Sequence, residues 1–167
     1  FKSNNYPRLA KIGLDIEYNS DALYRFNNKR PLKVRYNMDP NVCFIQIFPG
    51  MSESTFRHML NIPNIKGIVL KTYGAGNATT EKWFTDAISE AIEMGIVFVN
   101  VTQCPNGGVD SSLYDTGNIL ERIGVISGHD ITCEAAITKL MYLFGLELGS
   151  DVVKQYMSYS LCGEVTL

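Results

Sequence analysis

A glycine-rich turn carries the side chains best suited to hold a small polar ligand. Lys71 and Thr72 end an apolar run, residues 73–76 form the turn, and Asn77 follows it. Lysine supplies a point charge for a carboxylate, and asparagine supplies both a donor and an acceptor. An ordinary solvated loop with turn-forming glycines fits the same residues equally well. The third glycine of a dinucleotide-binding motif is absent at its required spacing, so a nucleotide site is not favoured.

A second loop offers a hydroxyl, an amide and a thiol in the order Thr102-Gln103-Cys104. Cys104 could serve as a nucleophile if His129 were its base and Asp130 oriented the imidazole. Such a thiol needs a lowered pKa and an adjacent base, which spacing alone does not establish. Asp130 is also suited to cap the helix that follows it, and capping alone explains its presence.

Four short apolar runs, at residues 42–48, 67–72, 96–101 and 123–127, are rich in valine and isoleucine, as in strands covered on both faces. Helical patterns lie between and after them, at residues 52–61, 81–94, 114–122, 132–146 and 151–157. This alternation predicts an α/β fold, a three-layer sandwich with a short, mainly parallel sheet of about four strands, flavodoxin/Rossmann-like. Both polar loops then fall at the carboxyl edge of the sheet, where such folds bind ligands.

Composition excludes several classes of partner. The 167 residues carry a net charge of −2 without a lysine or arginine stripe, so we expect no nucleic-acid partner. No apolar run reaches the roughly 18 residues that span a membrane, so we expect no membrane partner. The four cysteines form no C-x-x-C pair and only two histidines are present, so we predict no metal site and no cofactor. Unpaired thiols fit the cytoplasm.

The chain divides by composition into two parts. Residues 1–41 are rich in Asn, Tyr, Lys and Arg with weak apolar periodicity, and we predict a linker and docking segment with a short extended stretch near residues 32–36. Residues 42–167 form the α/β domain. Because the sequence begins at Phe1 in mid-pattern, we expect it to be part of a longer protein.

The sequence resembles the carboxyl-terminal domain of cytoplasmic type I L-asparaginases. The matching segments, which follow the family's order along the chain, are SNNYPRLA at residues 3–10, TYGAGNA at 72–78, NVTQC at 100–104, GN at 117–118, GVISGHDITCEAA at 124–136, TKL at 138–140 and GEVT at 163–166.

This resemblance implies an amidohydrolase that converts L-asparagine to L-aspartate and ammonia. In the family, a threonine nucleophile and its assisting residues lie in an amino-terminal domain, in motifs that this sequence lacks. We therefore expect no catalytic residue here and no activity from this chain alone. The implied partners are L-asparagine, the amino-terminal catalytic domain, and further copies in a homodimer or homotetramer.

The resemblance also implies two binding roles at the glycine turn. Asn77 matches an asparagine that approaches a substrate site shared between subunits. Lys71, Thr72, Asn77, Thr102 and Cys104 fall in a region where some bacterial members bind a second, activating asparagine. Position 71 carries arginine in such a member, and lysine cannot form its bidentate fork to a carboxylate.

Three other functions stay open at this point. The chain could be a stand-alone small-molecule-binding regulatory module, or a domain of an asparaginase-like tRNA amidotransferase subunit. It could also be a hydrolase that depends on Cys104.

Overall fold

The computed structural model describes residues 4–25, 31–110 and 115–166. The chain separates into two compact units, Phe1–Tyr36 and Asn37–Leu167. In the first unit, strands β1 (Ala10–Ile12) and β2 (Ile16–Tyr18) pair antiparallel. This hairpin was not predicted from the sequence. Residues 32–36, where a short extended stretch was predicted, form no strand.

The second unit contains the predicted parallel sheet. Its strands are β3 (Val42–Gln46), β4 (Gly67–Thr72), β5 (Val97–Thr102) and β6 (Ile126–Ser127), in the order β3-β4-β5-β6. The helices are α1 (Glu53–Leu60), α2 (Lys82–Glu93), α3 (Asp115–Arg122), α4 (Cys133–Gly145) and α5 (Ser150–Met157). The expected start of α3 at Tyr114 lies outside the described residues.

Apolar side chains cover both faces of the sheet, which confirms the three-layer prediction. Ile68 and Leu70 of β4 pack with Phe56 of α1 and Phe84 of α2, whose ring centroids are 4.6 Å apart. Val69, between those two strand residues, faces the other way and packs in the cluster formed with α4 and α5. Successive strand residues alternate between faces, so this two-sided burial explains why the strands are continuously apolar.

Helices α1 and α4 begin with a side-chain N-cap, whereas α2 and α5 begin without one. The Ser52 hydroxyl accepts the Thr55 N–H at 3.1 Å and caps the start of α1. The prediction that Asp130 caps α4 is wrong, because Thr132 is the N-cap and accepts the Ala135 N–H at 3.2 Å. Asp130 instead accepts the backbone N–H of Thr166 at 2.7 Å.

Candidate functional site

The glycine turn closes tightly at the end of β4. Tyr73 and Asn77 exchange two backbone hydrogen bonds, each 2.8 Å long. Gly74 has φ +48° and Gly76 has φ +109°, in the left-handed region that glycine adopts without steric cost. A Cβ atom on Gly76 would lie 2.8 Å from Cγ1 of Val109, so the turn also needs glycine for close packing.

Thr102 and Gln103 tie this turn to the neighbouring strand ends. The Thr102 hydroxyl donates to the carbonyl of Gly74 and accepts the Cys104 N–H at 3.0 Å. The Gln103 amide donates to the carbonyl of Ile47 at 2.7 Å and to that of Lys71 at 2.9 Å. Both amide hydrogens of Gln103 are thus used on backbone carbonyls, and its part in the edge is structural.

A buried polar pair supports the turn from below. The Thr72 hydroxyl donates to Oδ1 of Asn100 at 2.6 Å, and the Asn100 amide donates to the carbonyl of Gly76 at 3.4 Å. Thr72 is 0% exposed, so its hydroxyl is directed into the protein. Asn100 was not identified as a functional residue from the sequence, although a polar residue inside the apolar run 96–101 was a visible signal.

Lys71 lies on the opposite face of the sheet from Thr72. Its ammonium is 5.7 Å from the centroid of the Phe44 ring, which is 56% exposed. Burial raises the pKa of the nearby Cys133 thiol, and the positive charge of Lys71 partly opposes this. Lys71 forms no salt bridge with any of the described residues, and its half-buried side chain lies against an aromatic ring.

The five candidate binding residues therefore gather at one edge but not on one face. Thr72 and Thr102 are paired across β4 and β5 and share the α2 face, while Lys71 emerges on the α4 face. Asn77 and Cys104 lie in the turns beyond the strand ends. Thr72 is buried, so a ligand at this edge can contact only Lys71, Asn77, Thr102 and Cys104, and it must then sit across the end of the sheet.

The structure does not join the residues of the alternative cysteine site. Cys104 and His129 are both exposed, and within residues 4–25, 31–110 and 115–166 no hydrogen bond links them. The backbone of His129 has φ +51°, and its carbonyl accepts the Val109 N–H at 2.7 Å. Nothing in this geometry couples an imidazole to the thiol.

A cleft of about 210 Å³ opens on the α2 face of the same edge. It is lined by Ile47, Phe48, Pro49, Gly50, Met51, Tyr73, Thr79, Trp83 and Phe84. Burial raises the pKa of the Tyr73 hydroxyl. None of the five candidate residues lines this cleft, so the apolar cleft and the polar edge are separate features.

The described residues contain neither a metal-binding cluster nor a membrane-spanning helix. No three His, Cys, Asp or Glu side chains among them are placed to hold a metal ion. No helix among them is both long and apolar enough to cross a membrane.

Comparison with known proteins agrees with this architecture. Residues 41–157 match the model of the glutaminase/asparaginase C-terminal domain. The chain is 44% identical to L-asparaginase 1 of Escherichia coli K12, over 99% of the chain and 48% of the relative. It is also 36% identical to the 60 kDa lysophospholipase of Mus musculus, over 100% of the chain and 29% of that protein.

A solved structure shows the same fold. The crystal structure of L-asparaginase I from Vibrio cholerae superposes with a TM-score of 0.91 at 36% identity, covering 99% of this chain and 50% of the other. The chain thus spans about half the length of this structure and of the Escherichia coli relative. With the parallel sheet and its glycine turn in place, the chain belongs to the glutaminase/asparaginase C-terminal domain family.

Proposed function

We propose that this chain is the carboxyl-terminal, ligand-binding and oligomer-forming domain of a cytoplasmic L-asparaginase, which hydrolyses L-asparagine to L-aspartate and ammonia. The observation that carries the proposal is the position of Lys71. Its half-buried ammonium has an aromatic neighbour but no carboxylate partner among the described residues, at the edge where parallel sheets bind ligands. The names of the Escherichia coli and Vibrio cholerae relatives support asparagine as the ligand.

The ligand's carboxylate approaches Lys71, and its amine and amide approach Asn77 and Thr102. The lysine side chain is long and flexible, so its ammonium can move from above the Phe44 ring towards the strand end. Thr72 is buried and acts from inside by holding Asn100 beneath the turn. Cys104 lies next to the Thr102 hydroxyl, which accepts its N–H.

The same edge serves two purposes in this proposal. Asn77 contributes to a substrate site that a neighbouring subunit of a homodimer or homotetramer completes. Lys71, Thr72, Asn77, Thr102 and Cys104 form an allosteric site for a second asparagine. The nucleophile lies in an amino-terminal domain, so this chain alone releases no ammonia.

Titration of L-asparagine into the isotope-labelled chain, followed by NMR, tests the binding site. We expect the amide signals of the glycine turn to shift, Lys71→Ala to weaken binding about tenfold or more, and Lys71→Arg to preserve it, because a lost charge-assisted contact contributes about 1.5–3 kcal/mol. Lys82→Ala is the matched control, because Lys82 is 86% exposed and pairs with Asp86 on α2. Equal affinity for Lys71→Ala and the unaltered chain would refute the site.

Ammonia release tests the reaction separately. We expect none from this chain and turnover from the chain joined to the amino-terminal half of an asparaginase relative. If the joined protein binds L-asparagine but releases no ammonia, the stand-alone binding module is the better explanation. If the chain alone turns over, Cys104 becomes the residue to replace.

A further inference from the structure

A buried ion pair anchors the segment that follows α5. Lys139 lies on the inner side of α4, and its ammonium is 2.7 Å from Oε1 of Glu164, with side chains only 4% and 10% exposed. The same ammonium donates to the carbonyls of Met157 and Tyr159. These three acceptors of Lys139 belong to the end of α5 and the segment after it.

Glu164 folds that segment back on itself. Its carboxylate accepts the N–H of Leu161 at 2.9 Å and that of Cys162 at 2.8 Å. Burial alone would raise the pKa of the Glu164 carboxyl, but Lys139 and these N–H groups outweigh it and lower the pKa to about 2. A buried ion pair adds little net stability compared with apolar packing, whereas its directional bonds fix one arrangement of residues 161–166.

A hydrogen bond connects the anchored segment to the carboxyl edge of the sheet. The Thr166 N–H donates to Oδ1 of Asp130 at 2.7 Å. Asp130 lies in a turn that Ile131 closes by donating to the carbonyl of Gly128 at 3.0 Å. Gly128 in turn donates to the carbonyl of Asn100 at 2.8 Å, so this turn is also attached to β5.

From Asp130 the contacts continue to the glycine turn. The carbonyl of His129, next to Asp130, accepts the Val109 N–H at 2.7 Å. Val109 is 5% exposed and packs against Gly76, whose added Cβ would approach it to 2.8 Å. The Asp110 N–H donates to the carbonyl of Ala75 at 2.9 Å. Two adjacent residues thus hold the glycine turn from outside.

We propose that residues 161–166 are a positioning element for the ligand-binding turn, with Lys139 and Glu164 as positioning residues that act through Asp130 and Val109. The role in ligand binding rests on the proposed function above. The coupling itself rests only on the contacts described here. In this proposal none of residues 161–166 touches the ligand, and Thr166 acts through its backbone N–H alone.

Thr166→Pro tests the coupling in the full 167-residue chain, because proline has no backbone N–H to donate to Asp130. Thr166→Ala is the matched control, because it keeps this N–H. Amide hydrogen exchange is read at Val109 and Asp110, with Val97, which donates to Lys66 at 2.9 Å, as the reference amide. We expect exchange at Val109 and Asp110 about tenfold faster in Thr166→Pro, since one hydrogen bond to a charged acceptor changes an equilibrium by about that factor or more. Thr166→Ala should leave both rates unchanged.

A second pair of variants approaches the same bond from its acceptor. Asp130→Ala should reproduce the faster exchange, and Asp130→Asn, which keeps an oxygen acceptor, should restore slow exchange. Unchanged rates at Val109 and Asp110 in both Thr166→Pro and Asp130→Ala overturn the proposal. Equal acceleration at Val97 also overturns it, because that result means general destabilisation.

Ligand titration then separates this proposal from the proposed function. We expect Thr166→Pro to weaken L-asparagine binding at least threefold and Thr166→Ala to leave it unchanged. If the unaltered chain binds no L-asparagine, the proposed function fails, while the exchange rates still decide whether the segment positions the turn. If exchange changes as expected but affinity does not, the positioning role is refuted.

Discussion

The hydroxyl of Thr72 donates a 2.6 Å hydrogen bond to the amide oxygen of Asn100, and the two residues are 0% and 3% exposed. This bond joins the ends of β4 and β5 on the α2 face. The same Asn100 side chain donates to the carbonyl of Gly76 at 3.4 Å. The shape of the glycine turn therefore depends on a polar pair that solvent does not reach.

Replacing Thr72 by valine should destabilise the chain by about 1–3 kcal/mol, because valine fills the same space and leaves the Asn100 oxygen buried without its donor. Thr72→Ser keeps the hydroxyl and should cost less. Chemical denaturation of the three proteins measures the difference. Equal midpoints for Thr72→Val and Thr72→Ser would contradict the importance of this bond.

Gly76→Ala should destabilise the chain more than Gly74→Ala. Both residues have positive φ, but a Cβ on Gly76 would meet Val109 at 2.8 Å, whereas a Cβ on Gly74 has nothing within 4 Å. We expect about 1 kcal/mol for Gly74→Ala from backbone strain and about 2–4 kcal/mol for Gly76→Ala from strain plus overlap.

The Val109 contact can be separated from the strain at Gly76. The Gly76→Ala/Val109→Ala double variant lacks the methyl group of Val109 that overlaps the new Cβ. Its loss of unfolding free energy should therefore be smaller than the sum of the losses of the two single variants. Thermal unfolding of the four proteins gives the comparison. Simple additivity would mean that strain alone explains the Gly76 requirement.

The ion pair between Lys139 and Glu164 should make the chain sensitive to acid. Lys139 and the bound N–H groups overcome the effect of burial and lower the folded-state pKa of Glu164 from 4.5 to about 2. The unfolded chain binds this proton first as pH falls, so the contribution is complete above about pH 4.5 and disappears as pH approaches 2. The shift corresponds to about 3 kcal/mol of unfolding free energy.

Glu164→Gln identifies this contribution. Stability should fall by about 3–5 kcal/mol at neutral pH, because Lys139 stays buried without its counter-charge, and the loss between pH 4.5 and 2 should become smaller. Lys139→Met/Glu164→Gln should recover part of the stability. The hydrogen bond with Lys66 also lowers the pKa of Asp39. Asp39 titrates in both proteins, so its contribution cancels when the two pH–stability curves are subtracted. An unchanged acid slope in Glu164→Gln would contradict the assignment.

The sequence predicted the sheet well because its strands are covered on both faces. Continuous Val and Ile runs such as those of β4 and β5 leave few other structures possible, and helices between them require parallel pairing. The hairpin of β1 and β2 was missed because each strand has three residues, too few for a recognisable alternation.

The arrangement of the candidate site was less accessible to sequence analysis. Lys71 and Thr102 were predicted at the same edge of the sheet, and they lie there in the structure. Thr102 pairs in register with Thr72, the residue after Lys71, so Lys71 and Thr102 lie on opposite faces of the sheet. No local sequence pattern specifies this register. Lys139 was not identified as buried, because its partner Glu164 is 25 positions away in sequence and only the folded chain brings the two charges together.

The four cysteines should react with iodoacetamide at different rates. Cys104 and Cys162 are exposed, but burial and the negative charge of Glu164 raise the pKa of the Cys162 thiol. Burial also raises the pKa values of Cys43 and Cys133, which are only half exposed. Because the thiolate is the reactive form, Cys104 should be labelled first.

Mass spectrometry of partly labelled chains measures this order. Glu164→Gln should accelerate labelling of Cys162 relative to Cys104 by removing the neighbouring negative charge. Labelling of Cys104 should leave the fold intact, since its side chain is exposed. Faster labelling of Cys43 or Cys133 than of Cys104 would contradict the described packing.

His129 has a left-handed backbone with φ +51°, which costs a residue with a Cβ atom about 1 kcal/mol relative to glycine. His129→Gly should therefore change stability by only a few tenths of a kcal/mol or increase it, because relief of strain offsets the greater freedom of the unfolded chain. His129→Val should cost about 1–2 kcal/mol, since β-branched side chains tolerate this conformation poorly. Asn64→Gly, at φ +62°, is the matched control in a distant loop. A strongly destabilised His129→Gly variant, measured by thermal unfolding beside that control, would show that the imidazole makes a contact of its own at the sheet edge and would reopen the question of its pairing with Cys104.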